Sequence, residues 1–349
     1  MIFRIASLCS NPICKVHEYI WYSFATKTRL NFSIRAAIIL FSPIILILAL
    51  LGIILRFFGV LFQKEPFIHS RQRTKPPDPP TILTILSWNI CCVAGGYSIS
   101  DGGVIPWASR IDSVINTILT ENHDIVCLFE TFDTDSAFYL TEKLKYHYYD
   151  FYFNIGAKAI GTSSGIFVAS KFKISNAAFM PFNQNHLIGR TKYCGKGIFS
   201  FQIGTGYATI FPVHLQHSEI VSQPTKDEIS ARKNQMNQII EQIGKIKSGA
   251  TLVIGDFNLD DREYEAASWN HIFQKDDHFY GKKTWGGDHF CASLVNKPAS
   301  DPLNLDHAII LKGTAKKIHT TLRDTAFDGK SFNKEALSDH AILKSTLTL

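Results

Sequence analysis

The sequence predicts an α/β fold behind a hydrophobic helix, and three observations predict it. From Thr81 onward, short apolar runs of strand character interleave with segments whose apolar residues recur at helical spacing. Several of the strand-like runs end in a carboxylate, a carboxamide or an imidazole. Ahead of them all, Ala36 to Leu55 runs for 20 residues without a charge.

The chain has 349 residues, enough for one large domain or two small ones, and its 46% hydrophobic and 12% aromatic content is ample for a buried core. A net charge of +6 fits an anionic partner without demanding one. The seven cysteines, Cys9, Cys14, Cys91, Cys92, Cys127, Cys194 and Cys291, are odd in number and repeat no metal-ligand spacing. They read as buried free thiols rather than a disulfide scaffold.

Residues 1–35 form a basic segment carrying Arg4, Lys15, Lys27, Arg29 and Arg35 against Glu18. The apolar stretch follows, over residues 36–62. It is long enough to cross a bilayer core and has no polar face, so it reads as a transmembrane or deeply inserted helix, with Pro43 tolerated inside it. Five Lys/Arg flank its uncharged run 36–55 on each side, Arg56 among them, so the charge rule for orientation gives a tie and the side of the following domain stays open. Residues 63–80 are basic and polar and end in Pro76-Pro77-Asp78-Pro79-Pro80. They read as an extended, semi-rigid spacer.

The remaining chain, 81–349, has the texture of a globular domain. Strands are expected over Ile82 to Asn89, Asp124 to Glu130, Ser164 to Ser170, Gly197 to Ile203 and Tyr207 to His214. Trp107, Ile111, Val114, Ile115, Ile118 and Leu119 mark a helix. Thr225 and Glu228 have capping-box spacing and open another, with Ile229, Met236, Ile239, Ile240, Ile243 and Ile246 on one side. Ser248-Gly249 ends it. A buried strand, Thr251-Leu252-Val253-Ile254-Gly255, then runs into Asp256 and Asn258. Two apart on an extended chain, these two side chains share a face, and Gly255 lets the backbone approach a ligand or another strand.

The polar residues at strand ends are Asn89, Glu130, His214, Asp256 and Asn258, joined near the C-terminus by Asp306-His307 and Ser338-Asp339-His340. Each alone has an ordinary explanation: a turn residue, a rim histidine, a surface loop acid. Together they point to a site, since α/β proteins gather ligands beyond the carboxyl ends of strands. Carboxylates, carboxamides and imidazoles converging there suit a hard divalent cation and a phosphoryl group.

The ordered set SWN (Ser87 to Asn89), FE (Phe129-Glu130), PVHLQ (Pro212 to Gln216), GDFN (Gly255 to Asn258), LDHAII (Leu305 to Ile310) and SDH (Ser338 to His340) resembles the endonuclease/exonuclease/phosphatase superfamily across residues 81–349. The stretch Ser164 to Phe172, the Gly195-Lys196-Gly197-Ile198 start, and His214-Leu215-Gln216 followed by Arg232 and Gln235 resemble its neutral sphingomyelinase branch. One departure is Thr191, where some members of that branch carry an Asp five residues before the Lys-Gly lysine.

The resemblance implies a four-layer sandwich of two packed mixed β-sheets flanked by helices. It also implies hydrolysis of a phosphate ester by metal-activated water. Carried over by motif, Glu130 and Asn89 hold Mg2+, with Mn2+ equally suited to oxygen ligands. Asp256 orients or deprotonates water, Asn258 holds a phosphate oxygen, and His214 donates to the phosphoryl group. His340 acts as acid or base with Asp306 holding its ring, and Asp339 helps set metal or water. Either Asp256 or His340 is the base.

Lys196 is a candidate phosphate or headgroup contact, against a solvated lysine at a strand start. Trp285 and Phe290 are candidate lipid contacts at the rim, while His186, His217 and His307 carry weaker signals. The expected activity is a membrane-anchored phosphodiesterase of phospholipase C type, acting on a phospholipid such as sphingomyelin. A nuclease or inositol-phosphate phosphatase of the same fold ranks second, because no dense basic face marks a nucleic-acid patch. A catalytically inactive membrane adaptor is the third reading. Oligomeric state is not encoded legibly.

Overall fold

The computed structural model describes residues 2–25, 29–92, 106–204, 206–279, 281–286, 302–323 and 337–349. Two helices open the chain, α1 (Ile2–Ala25) and α2 (Phe32–Leu61), the second capped by the Asn31 side chain on the Ser33 amide. They lie antiparallel. Gly52 faces Ala6 and Ser10, and Gly59 faces Ile2 and Phe3, glycines letting the two backbones approach closely.

Then come β1 (Ile68–Arg71), β2 (Ile82–Cys92), α3 (Ile111–Glu121), β3 (Ile125–Thr131), α4 (Thr134–Leu144), β4 (Asp150–Phe153), β5 (Phe167–Ser170) and β6 (Ile174–Pro181). They are followed by β7 (Gly197–Ile203), β8 (Ala208–His214), α5 (Lys226–Ile243), β9 (Ala250–Asp256) and α6 (Asp261–Ala266). Four strands complete the described strands and α-helices: β10 (Phe273–Gln274), β11 (Asp306–Leu311), β12 (Lys317–Arg323) and β13 (Ile342–Thr348).

Two mixed sheets result. One is ordered β1-β4-β5-β3-β2-β13-β12 and the other β10-β11-β9-β8-β7-β6. Each has one parallel pair among the described strands, β2 with β3 and β8 with β9. Each pair is joined by a crossover through a helix, α3 and α5. Period-two alternation divides the side chains into layers. Leu83 and Ile85 of β2, Cys127 of β3, Ile210 of β8, Leu252 and Ile254 of β9 and Ala308 and Ile310 of β11 fill the space between the sheets. Leu86, Trp88 and Leu128 face α3 and α4 instead, and Phe211, Val213, Val253 and Ile309 belong to the layer with α5 and α6. The four-layer sandwich expected from the resemblance is the fold of the chain.

Two expectations are corrected, and one segment left without a structural expectation gains a structure. The 63–80 stretch is not all spacer, because β1 within it pairs with β4, and Arg71 grips Asp150 at 2.7 and 2.9 Å. Phe67 packs against Tyr152 and Phe199 of the core. Only four residues long, the strand is overshadowed in the sequence by the prolines that follow it. The basic segment 1–35 is largely a helix with a buried side of Phe3, Ala6 and Ser7. The strand expected over Ser164 to Ser170 begins only at Phe167, because Gly165 takes φ +76°. The capping box of α5 forms as its spacing predicts, and the described cysteines are free.

Candidate active site

The alternation that builds the core also builds the site. Ile254 points between the sheets, so Asp256, two residues on, does too, at the last position of β9. The same count carries His214 on from Ile210 in β8 and places Asp306 before Ala308 in β11. Register then aligns them: His214 pairs with Asp256, and Asp256 with Asp306, so one rung of the sheet carries all three. From the other sheet, Ile85 sets the inward parity that Asn89 continues.

Glu130 breaks the pattern. Leu128 faces outward, and Glu130 is brought to the site by a left-handed φ of +59° rather than by alternation. Gly165 leaves room for that turn, since a Cβ there would lie 3.1 Å from the Glu130 Cα. Gly255 is demanded by the neighbouring strand. With φ +142°, a Cβ on it would sit 2.2 Å from the Val213 carbonyl oxygen and 2.5 Å from the Phe129 ring.

Two polar contacts bridge the sheets at this end. Asn89 donates its amide to Asp256 at 3.0 Å, and His340 Nδ1 lies 2.8 Å from Asp306 Oδ2. Trp88 donates to the His340 carbonyl at 3.0 Å. His214 Nε2 is 3.8 Å from Glu130 and 3.8 Å from Asp256, and His340 Nε2 is 3.9 Å from Asp256. Asn89, His214, Asp256, Asp306 and His340 are all buried, while the Glu130 side chain keeps 22% of its surface open.

The electrostatics follow from this crowding. Burial and the nearby Asp339 push the Glu130 carboxyl up to about 7, and burial also raises Asp256. Burial pulls His340 down, but the carboxylates of Asp306 and Asp256 overcome it and hold the ring charged well above its ordinary range. Burial and the Lys196 ammonium drive His214 well below its ordinary range, so it is neutral. Its Nδ1 faces the Ser164 carbonyl at 3.4 Å, which assigns the proton there and leaves Nε2 an acceptor.

His214 Nε2, Glu130 and Asp256 thus turn three acceptors toward one gap, their ligand atoms within 4.8 Å of one another. That donor set, two carboxylates and an imidazole nitrogen, is of the kind that suits a divalent cation. The neighbouring group of Asp256, Asp306 and His340 is equally compact, but there the imidazolium already answers the carboxylates.

The remaining expected residues divide. Asn258 follows β9 with φ +53°, outside the extended geometry that would align it with Asp256. Its backbone N–H donates to Asp256 Oδ1 at 2.9 Å and its amide to the Leu215 carbonyl at 3.4 Å. Lys196 is not solvated; it is buried, and its ammonium donates to the Leu215 carbonyl at 3.1 Å. Asp339 is half-buried and accepts from the Trp285 indole at 3.4 Å, so Trp285 belongs to the site wall. Phe290 lies outside the described residues. His307 is core, edge-on to Phe257, tilted against Tyr264 and bonded to the Leu259 carbonyl. His217 pairs with Thr191 at 2.8 Å, and Arg232 and Gln235 bind the backbone of Gln216, fixing the segment after His214.

Two residues escape the sequence reading. Buried Arg110 donates to the carbonyls of Ile90, Cys91 and Leu337, tying the end of β2 to the His340 segment. Thr284 accepts the amides of Leu305 and Asp306 on its hydroxyl, while its carbonyl accepts the Ala341 amide, so it clamps Asp306 beside His340. Neither has a signal in the sequence beyond being a lone polar residue.

No curated protein matches the chain. Among solved structures it resembles a sphingomyelinase C from Streptomyces griseocarneus, at 17% identity and a TM-score of 0.60 over 76% of this chain and 99% of that one. It also resembles a magnesium-bound double mutant of beta toxin from Staphylococcus aureus, at 18% identity and 0.62 over 75% and 98%. Truncated TDP2 from Caenorhabditis elegans gives 20% and 0.53 over 77% and 98%. Those likenesses carry the fold. Residues 86–340, which span the rung, both inter-sheet bridges and the acceptor gap, match the Endonuclease/Exonuclease/phosphatase family, and the chain belongs to that family of hydrolases acting on phosphate esters.

Proposed function

We propose that this chain is a membrane-associated, metal-dependent phosphodiesterase of phospholipase C type whose substrate is sphingomyelin or a related phospholipid. Placement of the apolar helix carries the lipid reading. A cavity of about 430 Å³ lies between the last turn of α2 and the catalytic domain, its lining including Val60, Lys64, Lys158, Gly195 and Lys196. A bilayer substrate held by α2 is therefore next to the lysine that reaches toward the site. The nuclease reading draws on the likeness to TDP2, at a lower TM-score than the sphingomyelinase C. The inactive-adaptor reading is disfavoured by the intact set of Asn89, Glu130, His214, Asp256 and His340.

In the proposed chemistry, Glu130, Asp256 and His214 are the residues that would hold a cation at the gap, with the Asp339 charge beside Glu130. Asn89 turns its amide nitrogen on Asp256 and its oxygen to the Cys91 amide, so it positions Asp256. Mg2+ is the first candidate and Mn2+ the alternative. Bound there, the metal supplies positive charge for the phosphoryl oxygens. Asp256 orients the attacking water and takes its proton. His340, kept cationic by Asp306, donates to the phosphoryl or leaving-group oxygen. Lys196, lowered by burial to about 8 and still cationic at neutral pH, attracts the phosphate.

The test is phosphocholine release from sphingomyelin liposomes by the full chain, with Mg2+, with EDTA, and with Asp256→Ala, beside a plasmid-nicking assay. Metal-dependent release lost in the variant supports the proposal. Nicking without release moves the substrate to nucleic acid.

A further inference from the structure

We infer that the α1–α2 hairpin lies in the plane of the membrane, with α2 immersed and α1 roofing it, and does not cross the bilayer. The inference rests on reading α2 as a membrane element and concerns how it sits there. Three observations carry it.

The first is layering. The exposed residues of α2 include Ile39, Leu40, Ile44, Ile47, Leu50 and Ile54, and its covered stripe, through Gly52 and Gly59, meets α1. The other side of α1 meets the catalytic domain. Asn11 donates to Asp135 at 3.4 Å, and the Arg4 guanidinium stands 6.0 Å from the Phe138 ring centre, both partners on α4. The order is α4, α1, α2, with lipid left for the far side of α2.

The second is level. Because the helices are antiparallel, Ser10 meets Gly52, which lies inside the uncharged 36–55 run. Asn11 is one residue further along α1, toward the middle of that run. If α2 crossed the bilayer, Asn11 and its partner Asp135 would stand within the hydrocarbon. So would Lys15 and Glu18, which pair at 2.7 Å on α1. Charges at that depth are expensive and the α4 contact would have to break. Lying in the plane, α2 buries its apolar sides and α1 keeps its charges toward water and the domain.

The third is the short tether. Only Phe62 to Phe67 separate α2 from β1, and Pro66 already accepts the Gly156 amide at 2.7 Å. The catalytic domain has no free spacer on which to stand off.

The experiment places one protease site after Arg29, in the turn between the helices, and another after Leu349, in the full chain expressed in bacterial membranes. Inside-out vesicles and spheroplasts are digested separately. In-plane binding predicts that both sites are cut from the same side and both protected from the other, in carbonate-washed membranes. Cleavage from opposite sides overturns the inference and leaves an anchored phosphodiesterase intact. Recovery of the chain in the soluble fraction overturns the membrane reading itself. Should the inserted site disturb the hairpin, Asn11→Cys with Asp135→Cys in the membrane-bound chain is the second measurement. A disulfide supports the docked hairpin, and no disulfide under oxidation speaks against it.

Discussion

His340 and Asp306 stand at the ends of different sheets, 34 residues apart in sequence, and meet at 2.8 Å as a buried ion pair across the mouth of the sandwich. The pair keeps the imidazole charged against the pull of burial. Asp306→Asn preserves the shape and removes the charge. Turnover is expected to fall about a hundredfold, within the usual range for a general acid. With its partner neutral, His340 loses its proton at lower pH, so the alkaline limb of the kcat/KM profile moves down. An unmoved limb would take His340 out of the acid role.

Glu130 gives the metal prediction. Its carboxyl sits near 7 against an ordinary 4.5, because burial and Asp339 oppose its charge. A carboxyl raised in the folded state binds its proton more tightly folded than unfolded. Its contribution to the metal-free chain is therefore full below about 4.5 and is lost as pH climbs through about 7. A cation in the gap removes that loss. Mg2+ is expected to raise the Tm, and to raise it more at about pH 8 than at about pH 6, where protons compete. Thermal unfolding with Mg2+ and with EDTA at both values decides it, and equal increments would remove Glu130 from the metal set.

Gly255→Ala tests the backbone. The new Cβ meets the Val213 carbonyl oxygen and the Phe129 ring, both fixed in the core, and an L-residue resists φ +142°. A loss of about 2–4 kcal/mol is expected, the range for overpacking combined with backbone strain. Urea midpoints of the metal-free chain measure it, and a loss of a few tenths would show that the strands can part.

How much of this was legible follows from what carries each residue. Asn89, His214, Asp256 and Asp306 lie on strands whose alternation can be counted from the sequence, so the face each one takes was readable, while their convergence comes from register and sheet packing. Glu130 could be suspected as a carboxylate after an apolar run, but its direction depends on a left-handed backbone that no pattern announces. β1 was hidden because four residues of mixed character hold no period, and the docking of α1 on α4 because it joins segments far apart. Arg110 and Thr284 act wholly through tertiary contacts to backbone groups. The side chains were visible in the sequence, and the partners that give them meaning were not.

Lys196 separates stability from activity. Its ammonium is buried, with one carbonyl partner at 3.1 Å, and burial lowers its pKa to about 8. Lys196→Met keeps the stem and removes the charge. A buried ammonium is costly to desolvate, so the variant is expected to match or exceed the parent in urea unfolding. The Leu215 carbonyl it leaves still accepts from the Asn258 amide. Turnover should move the other way, with kcat/KM falling tenfold or more as the phosphate loses a cation that no other described lysine can replace at that depth. The His214 imidazole, no longer beside a positive charge, should regain a proton more readily, shifting the acid limb of the pH profile upward. Both measurements are made on one preparation. A variant that is less stable and equally active would make Lys196 a structural residue, and its reach toward Glu130 and Asp256 incidental.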